Sequence, residues 1–468
     1  MSHYTYGNLM RERSPWQPRL AEGNSSPTDR LVQALSDDIL SGQLRLGARL
    51  PAHRELADTL GIAVGTVTKA YGILERRGLV RSVKGSGMFV ALANSRSRTF
   101  IDLSQNTPPA ALTSRSLSKT LTTLARRPDM DMFNTYAPAT GHDEHRRLLA
   151  QWFSRLGVPA DYQHLILTNG AQHALSVALS TVCEPFGRLY VEAQTYSGLI
   201  QLSHLLKLTL VGIPMDDEGM DVSVLEKILD ENAEKGGAVY VTPLLQSPST
   251  RIMSLARRQE LVRVCRERGI KIIEDDVYRL MSTTELPQIA KIAPDITLYV
   301  NSLSKILNPA LRIGGLLVPE ALYSRAESML RATAMMVSPL SSSIMEQWLI
   351  DGTAETVTLA IEHETRRRYQ LAIDILGEHV YRSGLPSFHL WLPFSRDDAH
   401  SFYNAALATG IKVTAPASTE VGQQSDQYGV RLCIGGTEFS QLKQALLKLN
   451  EIAGQLKQKP DPFPLFNV

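Results

Sequence analysis

Ser302-Leu303-Ser304-Lys305-Ile306-Leu307-Asn308-Pro309-Ala310-Leu311-Arg312-Ile313-Gly314 is the stretch whose reading decides the fold. An apolar run, Ile296–Asn301, precedes it and another, Gly314–Val318, follows it; both read as buried strands. A Ser-x-Ser-Lys alone carries little weight, because most lysines are solvated surface residues. Here Lys305 is followed by the turn signal Asn308-Pro309 and by Arg312, just before a strand, which is a much stronger pattern.

Outward from this stretch the same alternation continues. Leu165–Thr168, Leu189–Glu192, Ala238–Thr242 and Lys271–Glu274 are further buried-strand candidates, and helical stretches separate most of them. The pattern predicts an α/β layer with a mostly parallel sheet. From about Leu330 the chain reads as a long helix. A smaller α+β unit follows and ends in a helix over Glu438–Gln458.

The first hundred residues follow a different pattern. Residues 1–25 are polar and read as a flexible tail. Leu31, Leu35, Ile39 and Leu40 keep helical spacing. A helix over Ala52–Leu60 stops at Gly61, and a third covers Val64–Arg77 before Gly78. Two short β-like pieces, Leu79–Ser82 and Met88–Val90, flank Lys84-Gly85-Ser86-Gly87. The order is helix, helix-turn-helix, then a β-hairpin wing. Residues 91–100 read as a linker. The expected domains are therefore a reader at 26–90, a large α/β domain at 101–330 and a helix plus smaller unit at 331–468.

The chain has 468 residues, of which 43% are hydrophobic and 21% charged, with formal charge +2. That balance fits a globular protein of about three domains and excludes a mostly disordered or fibrous chain. Bulk charge points to no partner, but its distribution does. Arg76, Arg77, Arg81, Lys84, Arg96 and Arg98 occur with no acid until Asp102. This is a basic patch suited to a polyanion. Cys183, Cys265 and Cys433 form no CxxC pair, so neither a disulfide framework nor a zinc site is expected. No signal-peptide pattern and no apolar run of ~18 residues is present, so a cytoplasmic protein without a membrane partner is expected.

A helix-turn-helix puts its second helix into the major groove of double-stranded DNA. In that reading Thr66, Thr68 and Lys69, early in helix Val64–Arg77, approach bases and phosphates. Arg54 grips a phosphate, and Lys84 and Gly85 form the wing tip. The alternative is a small helical domain with a charged, solvated face.

In the large domain, several residues sit where strands end. Gly170-Ala171-Gln172 opens a helix whose free N–H groups suit a phosphate. Tyr196 offers an aromatic face. Glu274-Asp275-Asp276 places three acids together, which is costly unless they are used; a magnesium site is the rival use, although no metal is expected. Pyridoxal 5'-phosphate chemistry needs a Schiff-base lysine, an acid at the pyridine nitrogen, a phosphate cradle with an arginine, and an aromatic over the ring. Lys305, Asp275, Gly170 to Gln172 with Ser302 and Arg312, and Tyr196 supply these in turn. Tyr278 would donate to the ring's phenolic oxygen, and Arg431 in Val430-Arg431-Leu432 would clamp an effector carboxylate. Taken singly, each also fits a bland role: a strand–helix turn, a core aromatic, a surface ion pair.

The motifs Leu50-Pro51-Ala52-His53-Arg54-Glu55-Leu56-Ala57, Thr66-Val67-Thr68-Lys69-Ala70-Tyr71, Leu74-Glu75-Arg76-Arg77-Gly78-Leu79-Val80 and Gly85-Ser86-Gly87-Met88-Phe89-Val90 resemble the winged helix of GntR-type bacterial regulators. Roughly Ile101–Lys457 resembles fold-type I pyridoxal-phosphate enzymes of the aspartate aminotransferase class, with Tyr136-Ala137-Pro138 and Gly141 similar to that family's entry segment. The whole chain looks like a MocR-type regulator. The resemblance implies a winged helix-turn-helix joined to a fold-type I transferase-like domain with a smaller α+β subdomain. It also implies a homodimer in which each reader lies against the partner's large domain, and paired DNA half-sites.

Departures from the family pattern are specific. Val64 stands where many relatives carry an arginine, so a bidentate guanine contact is missing. After strand Ala238–Thr242 the chain reads Leu245-Gln246-Ser247-Pro248-Ser249-Thr250, without the family's Asn or Gly. Gln246 or Ser247 is then the candidate for the cofactor's oxygen. Ala193-Gln194 replaces Asp/Asn-Pro. Ser387-Phe388 replaces a Gly-x pair and is expected to reshape the effector pocket.

Two functions follow from these residues. The first is a transcriptional regulator that binds DNA and senses an amino acid, an amine or pyridoxal phosphate itself through an aldimine at Lys305. The second is a working aminotransferase carrying a DNA-binding domain. An interaction scaffold that binds no DNA is a third.

Overall fold

A computed structural model describes residues 14–23, 25–41, 43–45, 47–76, 79–83, 87–90, 100–112, 114–126, 130–231, 237–279, 285–422 and 428–457. The chain divides into two compact units, Met1–Thr99 and Phe100–Val468.

In the first unit, helices Pro27–Leu40, His53–Leu60 and Val64–Arg76 precede an antiparallel pair, Val80–Val83 with Gly87–Val90. The apolar faces of the helices meet in one core containing Leu31, Leu35, Leu56, Val67, Tyr71 and Leu74. Gly61 ends the second helix at φ +62°, a left-handed turn that costs glycine little. The buried Tyr71 hydroxyl donates to the Pro51 carbonyl at 2.8 Å, fixing the third helix against the turn before the second.

Part of the expected tail belongs to this unit. Trp16 is buried, and its indole N–H donates to Asp38 at 2.8 Å, while Arg19 pairs with the same carboxylate at 2.5 Å. The apolar ring gains burial and its one donor finds an acceptor, which outweighs the polar composition around it. Lys84, Gly85 and residues 91–99 of the linker lie outside the described residues.

The second unit is built on a seven-stranded sheet in the order Leu165–Thr168, Gly314–Leu317, Thr297–Ser302, Lys271–Asp275, Ala238–Val241, Arg188–Glu192, Thr209–Ile213. Gly314–Leu317 runs antiparallel to both neighbours. The other pairs are parallel. The sheet is therefore mixed, and the antiparallel strand has a consequence. Residues just before it share an edge with residues just after the parallel strands. Ser302 pairs with Gly314, so Arg312 returns to the end of the sheet where Lys305 lies.

The expected single helix after Leu330 is three: Tyr323–Ala334, Pro339–Ile350 and Thr353–Leu376. Met335 (φ +55°) and Gly352 (φ +77°) leave helical geometry between them, and Pro339 can only begin a helix. Helices Thr353–Leu376, Arg396–Ala408 and Phe439–Lys457 pack with the pair His389–Phe394 and Tyr428–Cys433 around a second core. Leu244, Leu245, Val277 and Tyr278 belong to that core, which ties it to the sheet's carboxyl edge. Among the described residues no helix is long and apolar enough to cross a membrane.

Candidate functional site

At the carboxyl edge of the parallel strands, one pocket is lined by Ala171, Gln172, Tyr196, Asp275, Tyr278, Ser302, Lys305, Arg312 and Arg431. Open α/β sheets place ligand crevices at this edge, where loops from separate strands diverge. Ser247, one of the two candidates for the cofactor's oxygen, lines it as well. Asn106, Tyr240, Thr242 and Ser304 also line it and were not foreseen. None of these four stands in a motif that sequence spacing would single out, except Ser304, which lies inside the lysine stretch.

Lys305 follows strand Thr297–Ser302 in a turn whose Leu307 N–H bonds back to the Leu303 carbonyl. Its amine donates to the main-chain oxygen of Asn106. Burial lowers its pKa to about 8, and Arg431 adds to that while Cys433 and Asp275 oppose it. The amine is thus nearer to neutral at physiological pH than a surface lysine, as a nucleophilic amine must be.

The three adjacent acids are separated by strand alternation, which sends successive side chains to opposite faces. Glu274 accepts the N–H groups of Ile289 and Ala290 at 3.0 and 2.8 Å. Asp276 pairs with Arg279 at 2.6 Å and accepts from the Tyr299 hydroxyl. Asp275 alone faces the pocket. It accepts from the Tyr240 hydroxyl at 2.9 Å, and burial raises its pKa to about 6. Its Oδ1 is buried with no hydrogen-bond partner. Such an orphan oxygen calls for a donor from a bound group. Among the described residues no cluster of His, Cys, Asp and Glu is arranged to hold a metal.

Gly170 caps helix Ala171–Val182 at φ +82°. The first N–H groups of that helix have no intrahelical partner. A side chain at residue 170 would meet the Arg312 guanidinium at 2.5 Å, so glycine here lets the cation reach the helix start. Arg312 also donates to the Asn169 carbonyl at 3.1 Å and contacts the Ser304 hydroxyl at 3.4 Å. Asn308 accepts from Ala310 N at 2.7 Å and starts the turn that brings Arg312 round. Ser302 lines the pocket, but its hydroxyl donates to the Ile313 carbonyl at 3.0 Å. The Ser304 hydroxyl is the one beside Arg312.

The Tyr196 hydroxyl donates to the Gln172 amide oxygen at 2.9 Å, and the Gln172 amide donates to the Gly198 carbonyl. Gln172 thus holds the aromatic at the pocket wall. Arg431, on strand Tyr428–Cys433, is set by Thr414 and Ser247 hydroxyls, both at 3.2 Å. Gln246 turns away from the pocket. Its amide N–H donates to Glu192 and the Gln194 carbonyl, and its oxygen accepts from Ser249. Ser247 is the residue of that segment that reaches the pocket. Ser387 and Phe388 do not line it. Ser387 bonds to His389, and the rings of Phe388 and His389 pack behind Tyr278 at 6.0 and 4.7 Å. Tyr136 is 78% exposed and also stands apart from the pocket residues.

In the first unit, helix Val64–Arg76 exposes Gly65, Thr68 and Lys69, with Thr66 half-buried, and Arg54 is exposed on the helix before it. The Thr68 hydroxyl donates to the Val64 carbonyl at 3.0 Å, which leaves its lone pairs outward. Val64 is 42% exposed at the helix start.

Comparison with known proteins matches each unit to a family. The model of aminotransferase class I and II matches residues 98–449, and that of bacterial regulatory proteins of the gntR family matches residues 27–90. An HTH-type transcriptional regulator of Bacillus subtilis, YdeF, is 26% identical over 452 residues, covering 94% of this chain and 97% of its own. The HTH-type pyridoxine biosynthesis transcriptional regulator PdxR of Corynebacterium glutamicum is 25% identical, covering 76% of this chain and 80% of its own. The 2-aminoadipate transaminase of Thermus thermophilus is 28% identical over 52% of this chain and 61% of its own. Among solved structures, an archaeal alanine:glyoxylate aminotransferase superposes with a TM-score of 0.70 at 19% identity, covering 84% of this chain and 95% of its own. LysN, an α-aminoadipate aminotransferase complexed with N-(5'-phosphopyridoxyl)-L-leucine, gives 0.67 at 20% identity, covering 77% and 93%.

Proposed function

Because the chain belongs to the aminotransferase class I and II family and carries a gntR-family unit ahead of that domain, we propose that it is a DNA-binding transcriptional regulator whose large domain senses an amino acid or amine. Pyridoxal 5'-phosphate is the cofactor of this domain, and the residues present fit it: a depressed lysine, an orphan carboxylate oxygen and a glycine-opened cradle under an arginine. When bound, it supplies an aldehyde that combines with amines and a ring that withdraws electrons.

The roles of this chain's residues follow from their chemistry. Lys305 is the amine that would hold the cofactor's aldehyde. Asp275, held by Tyr240, keeps a proton on the ring nitrogen. The start of helix Ala171–Val182, Arg312 and Ser304 hold the phosphate. Tyr278 would donate to the ring oxygen, and Tyr196 would offer its face to the ring. Arg431 takes a carboxylate on the effector. Occupancy alters DNA affinity only to the extent that ligand favours one of two conformations. Arg54, Thr66, Thr68 and Lys69, with Lys84 and Gly85 of the wing, form the DNA face. The protein acts as a cytoplasmic homodimer on paired half-sites.

The single observation that carries this reading is the meeting of Lys305, Asp275, Arg312 and Arg431 in one pocket of a chain that also contains a winged helix. The same four residues also support the second reading, a working aminotransferase, since a lysine with pKa about 8 can shuttle a proton. Absorption spectra of the protein with pyridoxal phosphate separate the two, recorded as amino acids are added with and without a keto-acid acceptor. A single spectral change without turnover supports sensing; sustained turnover supports the enzyme. If no visible band forms, the large domain senses something else.

A further inference from the structure

Tyr278 has one proton and two acceptor positions on its hydroxyl oxygen. The Asn106 amide Nδ2 donates to that oxygen at 2.6 Å. Ser247, whose hydroxyl accepts from Arg431 at 3.2 Å, lines the same cavity. Because Asn106 donates to the Tyr278 oxygen rather than accepting from it, the phenolic proton is left for another group. Phe388 and His389 rings close the back of Tyr278, and the cavity with Lys305 and Asp275 is on its other side.

Asn106 is placed for this by the chain around it. Strand Ile101–Leu103 pairs in parallel with Ile411–Val413. The Ser104 carbonyl then lies at 3.4 Å from Arg431, and the Asn106 carbonyl accepts from Lys305. The segment therefore touches the carboxylate clamp, the lysine and the tyrosine together. It also accounts for a departure in sequence. The resemblance places an asparagine after strand Ala238–Val241, where this chain has Ser247. An amide reaches the same corner of the pocket from a different segment.

We propose that Asn106 is a positioning residue: its amide N–H, donated to the Tyr278 oxygen, turns the Tyr278 proton toward the ring oxygen of pyridoxal phosphate. This rests on the cofactor reading above. The test is a double-mutant cycle on the full-length protein, with cofactor affinity read from fluorescence quenching and the position of the visible band recorded for each variant. Asn106→Ala weakens cofactor affinity about fivefold, in line with the net worth of one hydrogen bond. Asn106→Asp has nearly the same shape but no N–H, so its carboxylate captures the Tyr278 proton, weakens binding further and moves the band. In a Tyr278→Phe background, Asn106→Ala has no additional effect. Full additivity of the two changes overturns the proposal, and so does Asn106→Asp binding at least as well as Asn106→Ala. Absence of a visible band in the unaltered protein instead overturns the cofactor reading and this inference with it.

Discussion

The two functional faces of this chain are built on opposite physical terms. The proposed DNA face consists of exposed side chains, Arg54, Thr68 and Lys69. The pocket consists of buried and half-buried groups that constrain one another: Lys305 on Asn106, Asp275 on Tyr240, Arg431 on Ser247. Exposed charges in water act weakly and nearly independently, and salt screens them. Buried polar groups in low dielectric act strongly and as a network, so losing one leaves others unpaired. Variants of the first face should therefore grade, whereas variants of the second should switch.

The largest expected effect is that of Lys305→Ala, which removes the only lysine amine among the described residues that line the pocket. The visible band with pyridoxal phosphate should vanish in this variant; a persistent band would move the site elsewhere. Asp275→Asn comes next. Loss of a charge-assisted bond costs about 1.5–3 kcal/mol, or roughly ten- to a hundredfold in cofactor affinity. Direct titration of the apo-protein with cofactor reads it. A similar energy at a structural position sharpens the contrast. Trp16→Ala should destabilise the first unit by about 3–5 kcal/mol and lower its melting temperature, while leaving the pocket's cofactor affinity unchanged.

A pH profile tests the burial argument directly. Lys305 has its pKa lowered to about 8, so its neutral, nucleophilic fraction grows as pH rises through that value. The rate of cofactor capture should increase with a midpoint near 8 and level off above it. A midpoint at the ordinary lysine value would mean that the amine is solvated. The smallest effects belong to the DNA face. Arg54→Ala and Lys69→Ala should each weaken binding several-fold on every sequence and reduce the salt slope by about 1. Filter binding over a salt series measures this, and unchanged slopes in both would remove these residues from the DNA surface.

Much of the pocket was readable because its parts sit in short, punctuated motifs. Lys305 and Arg312 are seven residues apart across an Asn-Pro turn, so local spacing was enough to associate them. Asp275 was legible as one of three adjacent acids, although only alternation on the strand shows which of them faces inward. Asn106 was not legible, since it lies 199 residues from the lysine it touches. Ser302 was the residue expected at the phosphate; its hydroxyl donates to the Ile313 carbonyl instead, and Ser304 is the one beside Arg312. Trp16 was lost in a polar segment because its burial depends on Asp38 and on helices that pack later in the chain.

The sequence by itself determined the two-part organisation, the α/β alternation, and the residue types that pyridoxal-phosphate and DNA chemistry require. These rest on local periodicity, turn residues and motif spacing, which act over a few residues. Only the tertiary structure decided which partners hold Glu274 and Asp276, that Gln246 turns away while Ser247 turns in, and that an amide from residue 106 bonds to Tyr278. Those choices depend on hydrogen-bond partners brought together by sheet order and by the antiparallel strand, and no local pattern encodes which distant donor will fill a given acceptor.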